Sequence, residues 1–165
     1  ILQWAELHPD VDVVLRPHPF MWGTLVDRDL MTPEQVASWR ARWDALPNTA
    51  VDVNSSYPRL FVAADALLTD GISFIAEYPL VTGKPAIFWE KYDHWAFTPL
   101  GELAADTTLR VTSMAEFDVT FTAVRSNTAE DRTTEIATLR AQVSPHPGRA
   151  AHMIVDIVRA DNQSG

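Results

Sequence analysis

Two short stretches hold the residues best suited to chemistry: Arg16-Pro17-His18-Pro19 and Thr69-Asp70-Gly71-Ile72-Ser73. A guanidinium and an imidazole can hold and neutralise phosphate oxygens. A serine at a helix start adds a hydroxyl beside backbone N–H groups that have no helical partner. Glu77 lies one helical turn beyond Ser73. Together these types suit a phosphorylated small molecule. Each also has a plainer reading, in which prolines end a strand and leave Arg16 and His18 solvated, and Ser73 is only an N-cap.

The flanking segments decide how such groups would be held. Residues 11–15 are rich in Val and Leu and read as a strand running into Arg16. Two prolines then stiffen its exit and hold Arg16 and His18 in extended backbone. Residues 66–69 form a short apolar run, expected for a strand buried on both faces of a parallel sheet. Asp70-Gly71 breaks it, a helix is predicted over 72–81, and Gly83-Lys84-Pro85 ends that helix. Residues 85–89 are apolar again and read as the next strand. Both stretches would then leave strands of one sheet at its carboxyl edge, where open α/β sheets bind ligands.

The remaining elements alternate in the same way. Residues 1–8 read as the tail of an amphipathic helix, and 20–30 as a loop without clear period. Thr32-Pro33-Glu34-Gln35 opens a helix, with a threonine cap, proline at the first position and glutamine three residues after the cap. Its stripe is Val36, Trp39, Trp43 and Leu46, so the two tryptophans read as core. Pro47-Asn48 stops it, 49–53 is a strand, and Asn54-Ser55-Ser56 caps a helix over 57–64. Residues 90–99 form a loop with Tyr92, Trp95 and Phe97, in which Asp93 and His94 fit site and surface equally well. A short helix over 101–106, a strand over 108–111, a capping box at Ser113 and Glu116, and helices over 129–143 and 148–160 complete the chain. Strands alternating with helices point to a parallel α/β sheet covered on both faces, a Rossmann-like half-domain.

Composition narrows the function. The 165 residues suffice for one domain with a core, and their formal net charge of −9 disfavours nucleic acid and anionic lipid as partners. One phosphorylated ligand in a cationic cleft is compatible with that charge. Cysteine is absent, which removes disulfides, thiol catalysis and Cys-based zinc sites. The five histidines show no metal-ligand spacing, and Gly83-Lys84-Pro85 lacks the glycine spacing of a phosphate-binding P-loop. His146 and His152 read as structural or exposed. No apolar run approaches the roughly 18 residues of a membrane span. The chain begins Ile1-Leu2-Gln3-Trp4 without a methionine, so a longer parent protein is expected.

In this order and spacing, the two stretches resemble the CDP-glycerol glycerophosphotransferases of teichoic acid synthesis. That family has Arg-Pro-His-Pro after one strand. Later it has alanine, aspartate, aliphatics, Thr-Asp-Tyr-Ser-Ser, a helix, then Gly-Lys-Pro and an aliphatic strand. Here these read Arg16-Pro17-His18-Pro19, and Ala64-Asp65-Ala66-Leu67-Leu68-Thr69-Asp70-Gly71-Ile72-Ser73 through Gly83-Lys84-Pro85. The likeness covers residues 11–93, with a weaker echo at 147–154. It implies the C-terminal, nucleotide-binding half of a two-domain GT-B architecture over residues 1–160, with a disordered tail at 161–165. It further implies catalysis through His18 on the donor pyrophosphate. Donor contacts would come from Arg16, Asp70, Gly71, Ser73 and Glu77, with no metal and no cofactor. Gly71 stands where the family has tyrosine and Ile72 where it has the first serine, so one hydroxyl is lost. The implied partners are CDP-glycerol or a related activated donor, a hydroxyl acceptor that a lipid can carry, and an N-terminal GT-B half, but no nucleic acid. The implied place is the cytoplasm, at the inner membrane face through regions outside this chain. Sugar transfer from a nucleotide sugar, and a degenerate nucleotide-binding module without catalysis, are the competing readings.

Overall fold

The computed structural model describes residues 1–53, 56–94 and 96–163. The chain divides into two compact units, Ile1–Tyr57 and Pro58–Gly165. The described strands all pair in parallel and alternate with helices, which makes this an α/β protein. They form two small sheets, one in each unit, where the sequence pattern suggested a single sheet.

The first unit contains α1 (Leu2–Leu7), β1 (Val13–Leu15), α2 (Met21–Asp27), α3 (Pro33–Ala45) and β2 (Thr49–Val51). β1 pairs with β2 from Val13↔Thr49 to Leu15↔Val51. α3 begins as its sequence dictates: Thr32 Oγ1 accepts from Gln35 N at 3.2 Å and Gln35 Oε1 accepts from Thr32 N at 2.8 Å. Val36 and Trp43 are its buried residues, while Trp39 is half-buried. Asn48 does more than stop the helix. It is buried, and its amide nitrogen lies 3.1, 3.1 and 3.0 Å from the carbonyls of Ala5, His8 and Val11. One side chain thus ties α1 and the entry to β1 onto the start of β2.

α2 corrects the loop expected at 20–30. It has no side-chain cap and no fully buried residue, so its local signals are weak. Tertiary contacts hold it: the Trp22 ring sits 5.4 Å from that of Trp39, with the Arg40 guanidinium over Trp22. It ends at Asp27 with Arg28 as its C-cap, and the next residue, Asp29, takes a left-handed φ of 54°.

The second unit contains α4 (Pro58–Ala63), β3 (Leu68–Thr69), α5 (Ile72–Thr82), β4 (Ile87–Trp89), α6 (Pro99–Asp106), β5 (Leu109–Val111), α7 (Met114–Arg125), α8 (Thr133–Val143) and α9 (Ala150–Gln163). Of the residues expected to cap α4, Asn54 and Ser55 lie outside the described residues, as does Trp95 of the aromatic loop. The sheet order is β3-β4-β5. β4 is central, and Ala86, Ile87 and Phe88 are buried, as a strand covered on both faces requires. β3 is shorter than the four residues expected and lies at an edge of the sheet, half-buried. Ile75, Phe88, Ala104, Ala105 and Leu139 form the core cluster, which joins α5, β4, α6 and α8.

α5 carries Pro79 in its interior, so no N–H at that position reaches the Ile75 carbonyl. The buried Thr107 hydroxyl lies 3.3 Å from that carbonyl and 2.7 Å from Ala104 O, sharing its proton between them. Gly83 closes α5 in the left-handed conformation at φ 72°, with its N–H on Pro79 O. Arg140 of α8 donates to Leu80 O in the last turn of α5 at 2.9 Å. α8 begins at Thr133, four residues later than expected, after Asp131 has accepted from the Thr133 N–H and hydroxyl. α9 runs through Gln163, beyond the predicted end at 160, and leaves Ile154, Ile157 and Val158 exposed. Ser164 and Gly165 of the expected tail lie outside the described residues.

Candidate functional site

The carboxyl edge of the β3-β4-β5 sheet gathers the second unit's polar groups. β3 ends at Thr69 and leads through Asp70 into Gly71, the N-cap of α5. Gly71 has φ −97° and ψ 127°, ordinary extended backbone, so its conformation does not require glycine. Its N–H donates to Thr69 Oγ1 at 3.0 Å. Ser73 is therefore the second residue of the helix and not its cap, and its side chain is exposed. α3, α6 and α7 start on Thr32, Thr98 and Ser113, each accepting a backbone N–H, whereas α5 starts with no side-chain cap. Its first N–H groups and its dipole are thus open to an anion at the end of β3. Glu77 is half-buried on the following turn.

β4 delivers the next group. Lys91 Nζ pairs with Asp70 Oδ2 at 2.9 Å, linking the ends of β4 and β3. Glu90 Oε1 takes Arg110 Nη1 at 2.9 Å and His94 Nε2 at 3.3 Å, linking β4 to β5. The His94 ring stacks on Phe97, with centroids 4.6 Å apart and planes at 27°. Trp89, Glu90, Lys91, Tyr92, His94 and Thr112 line an open cavity of about 430 Å³. The Tyr92 side chain is fully exposed. Thr112 gives its N–H and hydroxyl to Glu116 Oε2 at 2.6 and 2.9 Å, which lowers the Glu116 pKa. The sequence marked this loop only as aromatic, and neither Glu90 nor Lys91 carried a motif. Of the pair left open there, His94 lines the cavity and Asp93 is exposed.

Arg16 and His18 belong to the first unit, and Asp70, Gly71, Ser73 and Glu77 to the second. At the exit of β1, Arg16 is ion-paired with Asp52, just past the end of β2, and its guanidinium lies 5.2 Å from the Tyr57 ring centre. The arginine thereby clamps the ends of the paired strands, using a fraction of its five N–H donors. His18 is exposed, and its Nδ1 accepts from Phe20 N at 3.3 Å. An accepting Nδ1 places the ring proton on Nε2, which is then a donor available to an oxygen ligand. Lys84 is structural: its Nζ donates to Ala64 O at 3.1 Å. Among the described residues no cluster of His, Asp or Glu is fit to hold a metal ion, and no helix is long and apolar enough to cross a membrane.

No family model, no curated protein and no solved structure matches the chain.

Proposed function

We propose that this chain is the donor-binding half of a GT-B transferase that moves glycerol phosphate from CDP-glycerol to a hydroxyl acceptor in teichoic-acid-like polymer synthesis. The observation that carries the reading is the glycine-capped start of α5 at the carboxyl end of β3, within Thr69-Asp70-Gly71-Ile72-Ser73. A helix start without a side-chain cap offers N–H donors and about half a positive charge to a pyrophosphate. Ser73 adds a hydroxyl, and Lys91 is a cation within reach of Asp70. The resemblance in sequence motifs assigns His18 to the donor phosphates. In the transfer, the acceptor oxygen forms a bond to the β-phosphorus as the bond to the CMP oxygen breaks. The positive groups stabilise the charge on the departing CMP. The acceptor's proton goes to a base in the partner half, because His18 is committed to phosphate and a Glu77 carboxylate brought to the reacting phosphorus, as a base must be, would repel the donor phosphates.

Thermal unfolding of the chain with ligands tests this. CDP-glycerol is expected to raise the melting temperature most, CMP less and UDP-sugars least. Ser73→Ala and His18→Ala each remove an exposed side chain. They are expected to reduce the shift while leaving the unliganded melting point nearly unchanged. Release of CMP from CDP-glycerol in the presence of acceptor is expected for the full-length parent and not for this chain alone. Stronger protection by UDP-sugars would replace the proposal with sugar transfer.

A further inference from the structure

The open cavity at the end of β4 brings an aromatic ring, a carboxylate and a lysine together. We propose that it is a nucleobase subsite, selective for a base with an exocyclic amine such as cytosine or adenine, with Lys91 binding the attached phosphate. The inference deepens the donor-site reading above and rests on it. Its volume of about 430 Å³ falls within the range of small-molecule sites, and it lies at the carboxyl edge of parallel strands.

Three groups divide the work. The Tyr92 ring is wholly exposed at the cavity, a free face on which a planar base can stack. Glu90 commits only Oε1 to Arg110 and His94; among the described residues its Oε2 has no protein partner. Arg110 and His94 hold Oε1, which leaves Oε2 as the acceptor at the cavity wall. An amine such as cytosine N4 donates to it, whereas the O4 of uracil would set one acceptor against another. Lys91 and Asp70 are both more than half exposed, at 57% and 62% of their side chains. An ion pair so exposed is weak, and a phosphate dianion can take the lysine from it.

Calorimetric titration of the full chain with CMP, AMP, UMP, inorganic pyrophosphate and CDP-glycerol tests the assignment. CMP and AMP are expected to bind about tenfold more tightly than UMP. Tyr92→Ala is expected to weaken CMP about tenfold, and Tyr92→Phe to leave it unchanged, since only the stacking face matters. Glu90→Gln can donate or accept and is expected to erase the preference for CMP over UMP. Equal affinity for CMP and UMP overturns the proposal. So does pyrophosphate binding as tightly as CMP, or CMP affinity indifferent to Tyr92. CDP-glycerol binding that does not depend on Tyr92 removes this subsite and leaves the transferase reading standing. Tyr92-dependent CMP binding by a parent that never transfers glycerol phosphate does the reverse. Absence of all nucleotide binding overturns both.

Discussion

Asn48 offers a sharp test of how the first unit is held together. Its side-chain nitrogen has two protons for the carbonyls of Ala5, His8 and Val11, all within 3.1 Å, at a position only 7% exposed. Asn48→Ala removes two net hydrogen bonds at about 1 kcal/mol each and leaves buried carbonyls without their donor. The expected loss is therefore about 2–4 kcal/mol. Asn48→Asp keeps the shape but turns a carboxylate oxygen toward three carbonyls, so it is expected to cost more than alanine at neutral pH. Protonating that carboxyl restores a donor, and the aspartate variant is expected to recover in part as pH falls through the carboxylate range. Four of the six tryptophans (Trp4, Trp22, Trp39 and Trp43) lie in this unit, so urea unfolding followed by tryptophan fluorescence reports on it. With a denaturant slope of about 2 kcal/mol/M, Asn48→Ala should lower the midpoint by about 1–2 M. If Asn48→Asp proves as stable as Asn48→Ala at pH 7, the amide is not acting as a donor to these carbonyls and the reasoning fails.

Two further outcomes concern the second unit. Burial raises the Tyr78 hydroxyl from its ordinary 10.0 to about 12. The folded state thus holds that proton more tightly, and its contribution to stability is complete below pH 10 and lost as pH rises from about 10 to 12. Melting temperatures of the wild type should fall more steeply across that window than those of Tyr78→Phe; parallel curves would discard burial as the cause. At Gly83 a Cβ would meet nothing within 4 Å, and φ is +72°, so Gly83→Ala should cost about 1 kcal/mol in backbone strain alone. Gly83→Asn should cost less, and equal losses for the two in chemical denaturation would contradict a left-handed C-cap.

Where a structural decision closes within three or four residues, the sequence by itself determined it. The Thr32–Gln35 box, the Ser113 cap and the Gly83 stop all form as their residue types require, because donor and acceptor are neighbours along the chain. The parallel α/β class was legible for a related reason, since the apolar runs are too short for helices and the amphipathic stretches too long for strands. Contacts between distant residues were not legible. α2 has no cap and is held by Trp22 against Trp39, a packing event that no local period announces. Asn48 looked like a helix stop, yet its partners lie 37 to 43 residues away. Ser73 fitted an N-cap, but the cap falls at Gly71, and Ser73 is the second residue of α5. The candidate cavity shows the division most clearly. Thr69-Asp70-Gly71 could be read as the end of a strand, but Lys91 beside Asp70 and Arg110 beside Glu90 span 21 and 20 residues. Only the side-by-side pairing of β3, β4 and β5 brings those charges to one edge, because strand order is set by sheet pairing and not by separation along the chain.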